Sequence, residues 1–193
     1  MNKLWYNDVC EYYNVSLEDV IRLGQRRMKH DMPGSKTCAP VTGMNLKEIW
    51  DLYPRNTLQE KMNFYKDVGS FLVFIMFASK RDFSYARFFG DKIKEDSNIL
   101  EYGCGIAPIT NFYIENNEKY NTTNNKFCLV DVESETIEFA EWRLKKKNPN
   151  ANITYHKLSS QYPFPIFTYN FDSVFIMDVF EHLPSPYDAI RNI

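Results

Sequence analysis

Three groups of residues in this chain have the types and spacing to do chemistry. The first lies in Asn98-Ile-Leu-Glu-Tyr-Gly-Cys-Gly-Ile-Ala-Pro-Ile-Thr110. An apolar run ends in an acid, Glu101, and a tight turn follows through Gly103, Cys104 and Gly105. Glycines there allow positive φ and let a ligand approach with no Cβ in the way. A helix start behind the turn offers free N–H groups, so the layout is that of a strand feeding a nucleotide-binding loop. The second is Asp131, at the end of the next apolar run. A carboxylate in that position can accept two hydrogen bonds from a ribose diol. The third is Asp178, Glu181 and His182, which follow the apolar stretch 173–177. Polar groups at the carboxyl end of a parallel strand face the crevice where ligands bind.

Each group also has a plainer reading. The glycine turn alone is compatible with a purely structural bend. Asp131 alone is compatible with a solvated acid capping the helix that begins near Glu133. A lone His182 has many structural uses, and its sharper reading is a general base. The loop and Asp131 together favour a nucleoside-type ligand. Pro108 stands where a dinucleotide fingerprint wants its third glycine, which argues against the alternative of a nicotinamide-dependent oxidoreductase. Asp178, Glu181 and His182 at i, i+3 and i+4 would share a helical face as an oxygen and nitrogen metal site. No further ligand is identifiable, so no metal is expected.

These residues need elements to place them. Residues 99–102, 127–132, 152–156 and 173–177 read as strands, with helices expected over 109–120 and 133–147. The second of those helices carries acids early and Lys145, Lys146 and Lys147 last, as the helix dipole favours. Ser185, Pro186 and Asp188 open a final helix. The β-α-β-α-β order predicts a parallel sheet with helices on both faces. Residues 1–94 read as an N-terminal helical cap, and residues 95–193 as the core. Ser16 with Asp19, Asn45 with Glu48, and Thr57 with Glu60 mark helix starts in the cap. The first of these is expected to run to about His30, followed by a loop with Pro33, Gly34, Pro40 and Gly43. A short helix over 47–52 stops at Pro54, a long apolar one follows Thr57, and residues 84–93 lead into the glycine loop.

The three chemical groups, in this order, resemble the class I S-adenosylmethionine-dependent methyltransferases, of the small-molecule or quinone-biosynthesis type. Leu100-Glu-Tyr-Gly-Cys-Gly105 is similar to the family's first motif, Leu129-Val-Asp-Val132 to its ribose-binding strand end, and Phe171-Asp172 with Asp178-Val-Phe-Glu-His-Leu183 to its fourth-strand motif. The resemblance covers residues 95–193. It implies an α/β, Rossmann-like, mostly parallel sheet from which the later strands are missing, preceded by the helical extension. It also implies methyl transfer to a small-molecule acceptor with S-adenosyl-L-methionine as cofactor. Glu101 and the Gly103-Cys104-Gly105 turn would hold the methionine end. Asp131 would bind the ribose hydroxyls, Val132 would pack on the adenine, and Asp178 would border the cofactor. Ser159 and Ser160 stand where the family usually has an acid reading the adenine amine. The rival from another class is a non-catalytic module with the same fold, kept as a cofactor-binding or interaction subunit.

Composition bounds the rest. The net charge of −2 over 193 residues gives no electrostatic footprint for nucleic acid. The most apolar run, 68–78, is shorter than the roughly 20 residues of a membrane span, so no membrane is expected. Cys10, Cys38, Cys104 and Cys128 share no metal-ligand spacing and read as free thiols of a reducing, cytoplasmic compartment. The chain stops inside its last helix, which would leave the fourth strand as an open edge. A fragment of a longer product, or a partner chain completing the sheet, is the expectation.

Overall fold

The computed structural model describes residues 4–23, 46–78, 89, 92–159, 164–183 and 185–193. The expected cap at Asn45, the helix extension to His30, the 84–93 segment, Cys38 and Ser160 lie wholly or mainly outside the described residues.

Four strands form one sheet: β1 (Asn98–Tyr102), β2 (Lys126–Val132), β3 (Asn152–Leu158) and β4 (Ser173–Ile176), in the order β3-β2-β1-β4. Every pairing is parallel, with Glu101 beside Leu129 and Phe175, and Asp131 beside Lys157. This is the Rossmann-like class that the strand and helix alternation predicts. The two central strands are buried on both faces, which explains their nearly unbroken apolar runs. Alternate residues split between the faces. Ile99 and Phe127 pack with Ile109 and Tyr113 of α5 (Pro108–Glu115), and Leu129 packs with Ile137, Ala140 and Leu144 of α7 (Glu135–Lys147). Leu100, Cys128 and Val130 face the other way, toward Phe164, Phe171 and Ala189 of α8 (Pro186–Arg191).

Two elements differ from expectation. The helix expected over 109–120 breaks at Asn116 into α5 and a single turn, α6 (Asn117–Tyr120). The Asn116 side chain donates back to the Phe112 carbonyl at 2.8 Å and its backbone leaves the helical region, which ends α5. The Ser16 cap is preceded by another helix, α1 (Leu4–Tyr13), before α2 (Leu17–Leu23). The short helix is α3 (Leu46–Leu52), and the long one is α4 (Leu58–Ala78).

The start of α4 is a reciprocal capping box. The Glu60 amide donates to Thr57 Oγ1 at 3.2 Å, and the Thr57 amide donates to Glu60 Oε2 at 3.0 Å. Ser185 likewise accepts from the Asp188 amide at the start of α8. Helix α4 is too apolar for solvent because it is buried on several sides. Val73 and Phe74 pack with Val9, Tyr13 and Val20 of α1 and α2 and with Phe139 of α7, while Phe64, Val68 and Phe71 pack with Ile49. No helix among the described residues is long and apolar enough to cross a membrane.

Helices α1 and α7 are also joined by charge. Lys147 Nζ lies 2.6 Å from Asp8 Oδ2, whose side chain is 7% exposed. Removing one member of a mostly buried pair leaves the other charge uncompensated. Lys147→Ala is therefore expected to lower unfolding free energy by about 2–3 kcal/mol, read as a shift in the denaturant midpoint. A change below about 0.5 kcal/mol would place this pair with ordinary surface bridges.

Candidate functional site

The β1–α5 turn is built from backbone that most side chains resist. Gly103 has φ +70° and Gly105 φ +53°. A Cβ on Gly103 would lie 2.2 Å from Val179 Cγ2, and one on Gly105 would lie 2.9 Å from Met76 Sδ. The turn is thus clasped between the segment after β4 and the end of α4. Gly103→Ala combines a left-handed penalty of about 1–2 kcal/mol with an overpacking penalty of about 1–3 kcal/mol. The expected result is a lower melting temperature and loss of ligand binding at the turn. Adding Val179→Ala should return the overpacking part alone, so a double-mutant cycle separates the two.

Glu101 anchors the turn from beneath. Its carboxylate accepts from the Ile109 amide at 3.3 Å, the Thr110 amide at 2.9 Å and Thr110 Oγ1 at 2.7 Å, and the residue is 4% exposed. These are free donors of the first turn of α5, the natural partners of an anion. Asp131 closes the turn from the β2 side. Its Oδ2 accepts from the Gly105 amide at 2.5 Å and its Oδ1 from its neighbour Val132 at 2.6 Å. Desolvation pushes the Asp131 carboxyl up to about 6, against the lowering effect of those two amides.

One cavity of about 720 Å³ gathers most of the residues singled out from the sequence. Glu101, Gly103, Cys104, Asp131, Val132, Asp178 and His182 all border it. Gly105 sits behind, its amide committed to Asp131. Ser159 continues from β3 and is absent from the described lining. The floor is the carboxyl end of the sheet, and the roof is α3 and α4, through Trp50, Met62, Tyr65 and Met76. Asp178 occupies left-handed backbone, φ +53°, directly after β4. That conformation is uncommon outside glycine, and aspartate is among the residues that adopt it most readily. Cys104 is buried, which raises its thiol well above the ordinary range, so it is a packing residue and no nucleophile.

His182 stands edge-on to two rings of the roof, Trp50 at 5.5 Å and Tyr65 at 5.9 Å. Its Nε2 is 4.0 Å from Glu181, while Nδ1 is buried with no protein partner. Burial lowers its pKa, Glu181 and Asp178 raise it and Lys61 lowers it, with burial the largest. The imidazole is therefore neutral at physiological pH, the form a base requires.

Tyr102 was not singled out from the sequence, although it stands inside the loop motif. The residue borders the cavity and is 2% exposed, and its buried hydroxyl has no protein partner. Desolvation, then the nearby Asp131 charge, push the phenol up to about 12. A buried hydroxyl left unsatisfied costs about 1–3 kcal/mol, so this one is available to a water or a ligand. Among the described residues no group of three or more His, Cys, Asp or Glu could hold a metal ion.

Parallel strands, a clasped glycine turn and an acid at the end of β2 define a Rossmann-like α/β domain. Residues 100–193, just under half of the chain, match the family model described as a methyltransferase domain. Solved structures similar to it include a SAM-dependent methyltransferase from Aquifex aeolicus, 22% identical, covering 57% of each chain at a TM-score of 0.42. Coclaurine N-methyltransferase bound to N-methylheliamine and SAH is 14% identical, covering 98% of this chain and 52% of that one, at 0.44. PKMT2 from Rickettsia typhi is 22% identical over 47% of this chain and 17% of that one, at 0.32. The chain therefore spans little more than half the length of the first two, and less of the third. Comparison with curated proteins gives no match.

The residues present fit S-adenosylmethionine, the cofactor of this family. The Gly103 backbone borders the cavity, Asp131 supplies an acceptor at the end of β2, and the Tyr102 hydroxyl lacks a protein partner.

Proposed function

We propose that this chain carries out S-adenosylmethionine-dependent methyl transfer to a small-molecule acceptor. The observation that carries the reading is the single cavity that joins the glycine turn, Asp131, Asp178 and His182 under an aromatic roof. Asp131 would accept the ribose hydroxyls, Val132 would pack against the adenine, and Tyr102 would donate its hydroxyl. The Gly103-Cys104-Gly105 turn would cradle the methionine end, with Glu101 bordering it while it anchors α5. Ser159 and Ser160 are retained as the adenine-side residues after β3. When bound, the cofactor would supply an activated methyl group, carried on a sulfonium, for transfer to the acceptor's lone pair. The protein's share is alignment and exclusion of water. His182, neutral and with Nδ1 unpartnered, would take the acceptor's proton there. Residues 1–94 would serve as the cap that closes the acceptor side. Cys10, Cys104 and Cys128 are free thiols, which supports a reducing, cytoplasmic setting.

The test is calorimetric titration with S-adenosylhomocysteine, followed by a methyl-transfer assay with a radiolabelled donor across an acceptor panel. Micromolar binding and label transfer are expected. A folded chain that binds with no transfer to any acceptor would favour the non-catalytic module.

A further inference from the structure

The roof end of the cavity has its own compartment of about 200 Å³, bordered by Trp50, Arg55, Lys61, Tyr65, Glu181 and His182. A cavity of about 150 Å³ is enough to hold benzene, so this space suits one six-membered ring with a substituent. The His182 ring stands nearly perpendicular to those of Trp50 and Tyr65, at 79° and 81°, and the three form walls against which a flat ring packs. We propose that the methyl acceptor is a single planar aromatic ring carrying an ionised acid group, the ring among Trp50, Tyr65 and His182 and the anion toward Arg55 and Lys61.

Charge is segregated along the cavity. The sheet end supplies the acids Glu101, Asp131 and Asp178, while the helical roof supplies Lys47 and Lys61, with Arg55 in the small compartment. A cationic sulfonium belongs at the acidic end, which leaves the basic end for an anion. The competing occupant of an aromatic box is a cationic amine. Here the Arg55 guanidinium already lies 4.2 Å from the Trp50 ring centroid, so a second cation would meet like charge. Glu181 is the one acid among the described residues lining this compartment, and its side chain is 59% exposed. Water screens it more than it screens the compartment's interior. A guanidinium and an ammonium together form strong, charge-assisted hydrogen bonds to a carboxylate.

This inference rests on the methyl-transfer reading, and one experiment separates the two. The chain, alone and saturated with S-adenosylhomocysteine, is titrated by calorimetry with 3,4-dihydroxybenzoate, catechol and dopamine. These share one ring and differ in charge. The benzoate is expected to bind at least about tenfold more tightly than catechol, with dopamine weakest. Lys61→Gln should bring the benzoate down to the catechol level, leave catechol unchanged, and be rescued by Lys61→Arg; Arg55→Gln is the second variant. Catechol or dopamine binding as tightly as the benzoate overturns the proposal, as does failure of all three to bind a folded chain. Benzoate binding without S-adenosylhomocysteine binding would sink the methyl-transfer reading, and the acceptor role with it, and leave only a binding site for an anionic ring. The reverse pattern would sink this one alone.

Discussion

Asp131→Asn is expected to weaken S-adenosylhomocysteine binding by roughly 10- to 100-fold, about 1.4–2.8 kcal/mol, in a calorimetric titration at pH 7.5. Hydrogen bonds to an ionised acceptor contribute about 1.5–3 kcal/mol, and the amide loses the charge while keeping the shape. The turn would keep most of its form, because Gly103 and Cys104 also donate to the Val130 carbonyl, at 2.7 and 3.0 Å. An affinity unchanged in the variant would remove Asp131 from the ribose site.

The same residue predicts two pH trends of opposite sign. Its carboxyl sits at about 6 in the folded chain against an ordinary 3.8. The folded state thus holds a proton that the unfolded state has released, and by linkage this group's stabilising contribution falls as pH rises from about 4 through about 6. Wild type should therefore gain stability relative to Asp131→Asn as pH drops through that window. Ligand affinity should move the other way, weakening below pH 6 as the acceptor is protonated, with the slope absent in the variant. Parallel trends in stability and affinity would mean that acid acts on the fold as a whole and not on this carboxyl.

How much of this was legible follows from how local each cause is. The strands of the sheet and the caps at Thr57 and Ser185 depend on residues a few positions apart, and the sequence pattern suffices to find them. The glycines of the turn were legible as a demand for positive φ. What presses on them was not, because Val179 and Met76 arrive from opposite sides of the chain. Ala107 takes left-handed backbone, φ 52°, before α5 with no residue type to announce it. The break at Asn116 was hidden because asparagine is tolerated inside a helix until its side chain turns back on its own carbonyls. Glu101 was expected to face the methionine end. Its commitment to the start of α5 depends on the exact rise of the turn, which no spacing rule supplies. The box of Trp50, Tyr65 and His182 joins three elements, and composition alone marks its aromatic members only as core.

His182→Gln is expected to lower kcat by about 100-fold or more while leaving S-adenosylhomocysteine affinity within about twofold. Proton removal by a positioned base is worth 10²–10⁴-fold, and the case for His182 lies in what its two nitrogens meet. The tautomer with its proton on Nε2, toward Glu181, leaves the buried Nδ1 as an acceptor with no protein partner. Burial holds the ring neutral, so the base form persists to slightly acidic pH. Glutamine keeps polarity and approximate volume but has no titratable nitrogen, so it tests basicity more cleanly than alanine, which would also open a gap between Trp50 and Tyr65. The pH profile supplies the decisive readout. Wild-type kcat should fall on the acid side with an apparent pKa below that of free imidazole, and that limb should vanish in the variant. If the variant turns over at the wild-type rate with an intact acid limb, His182 is a wall of the box and the acceptor gives up its proton to water.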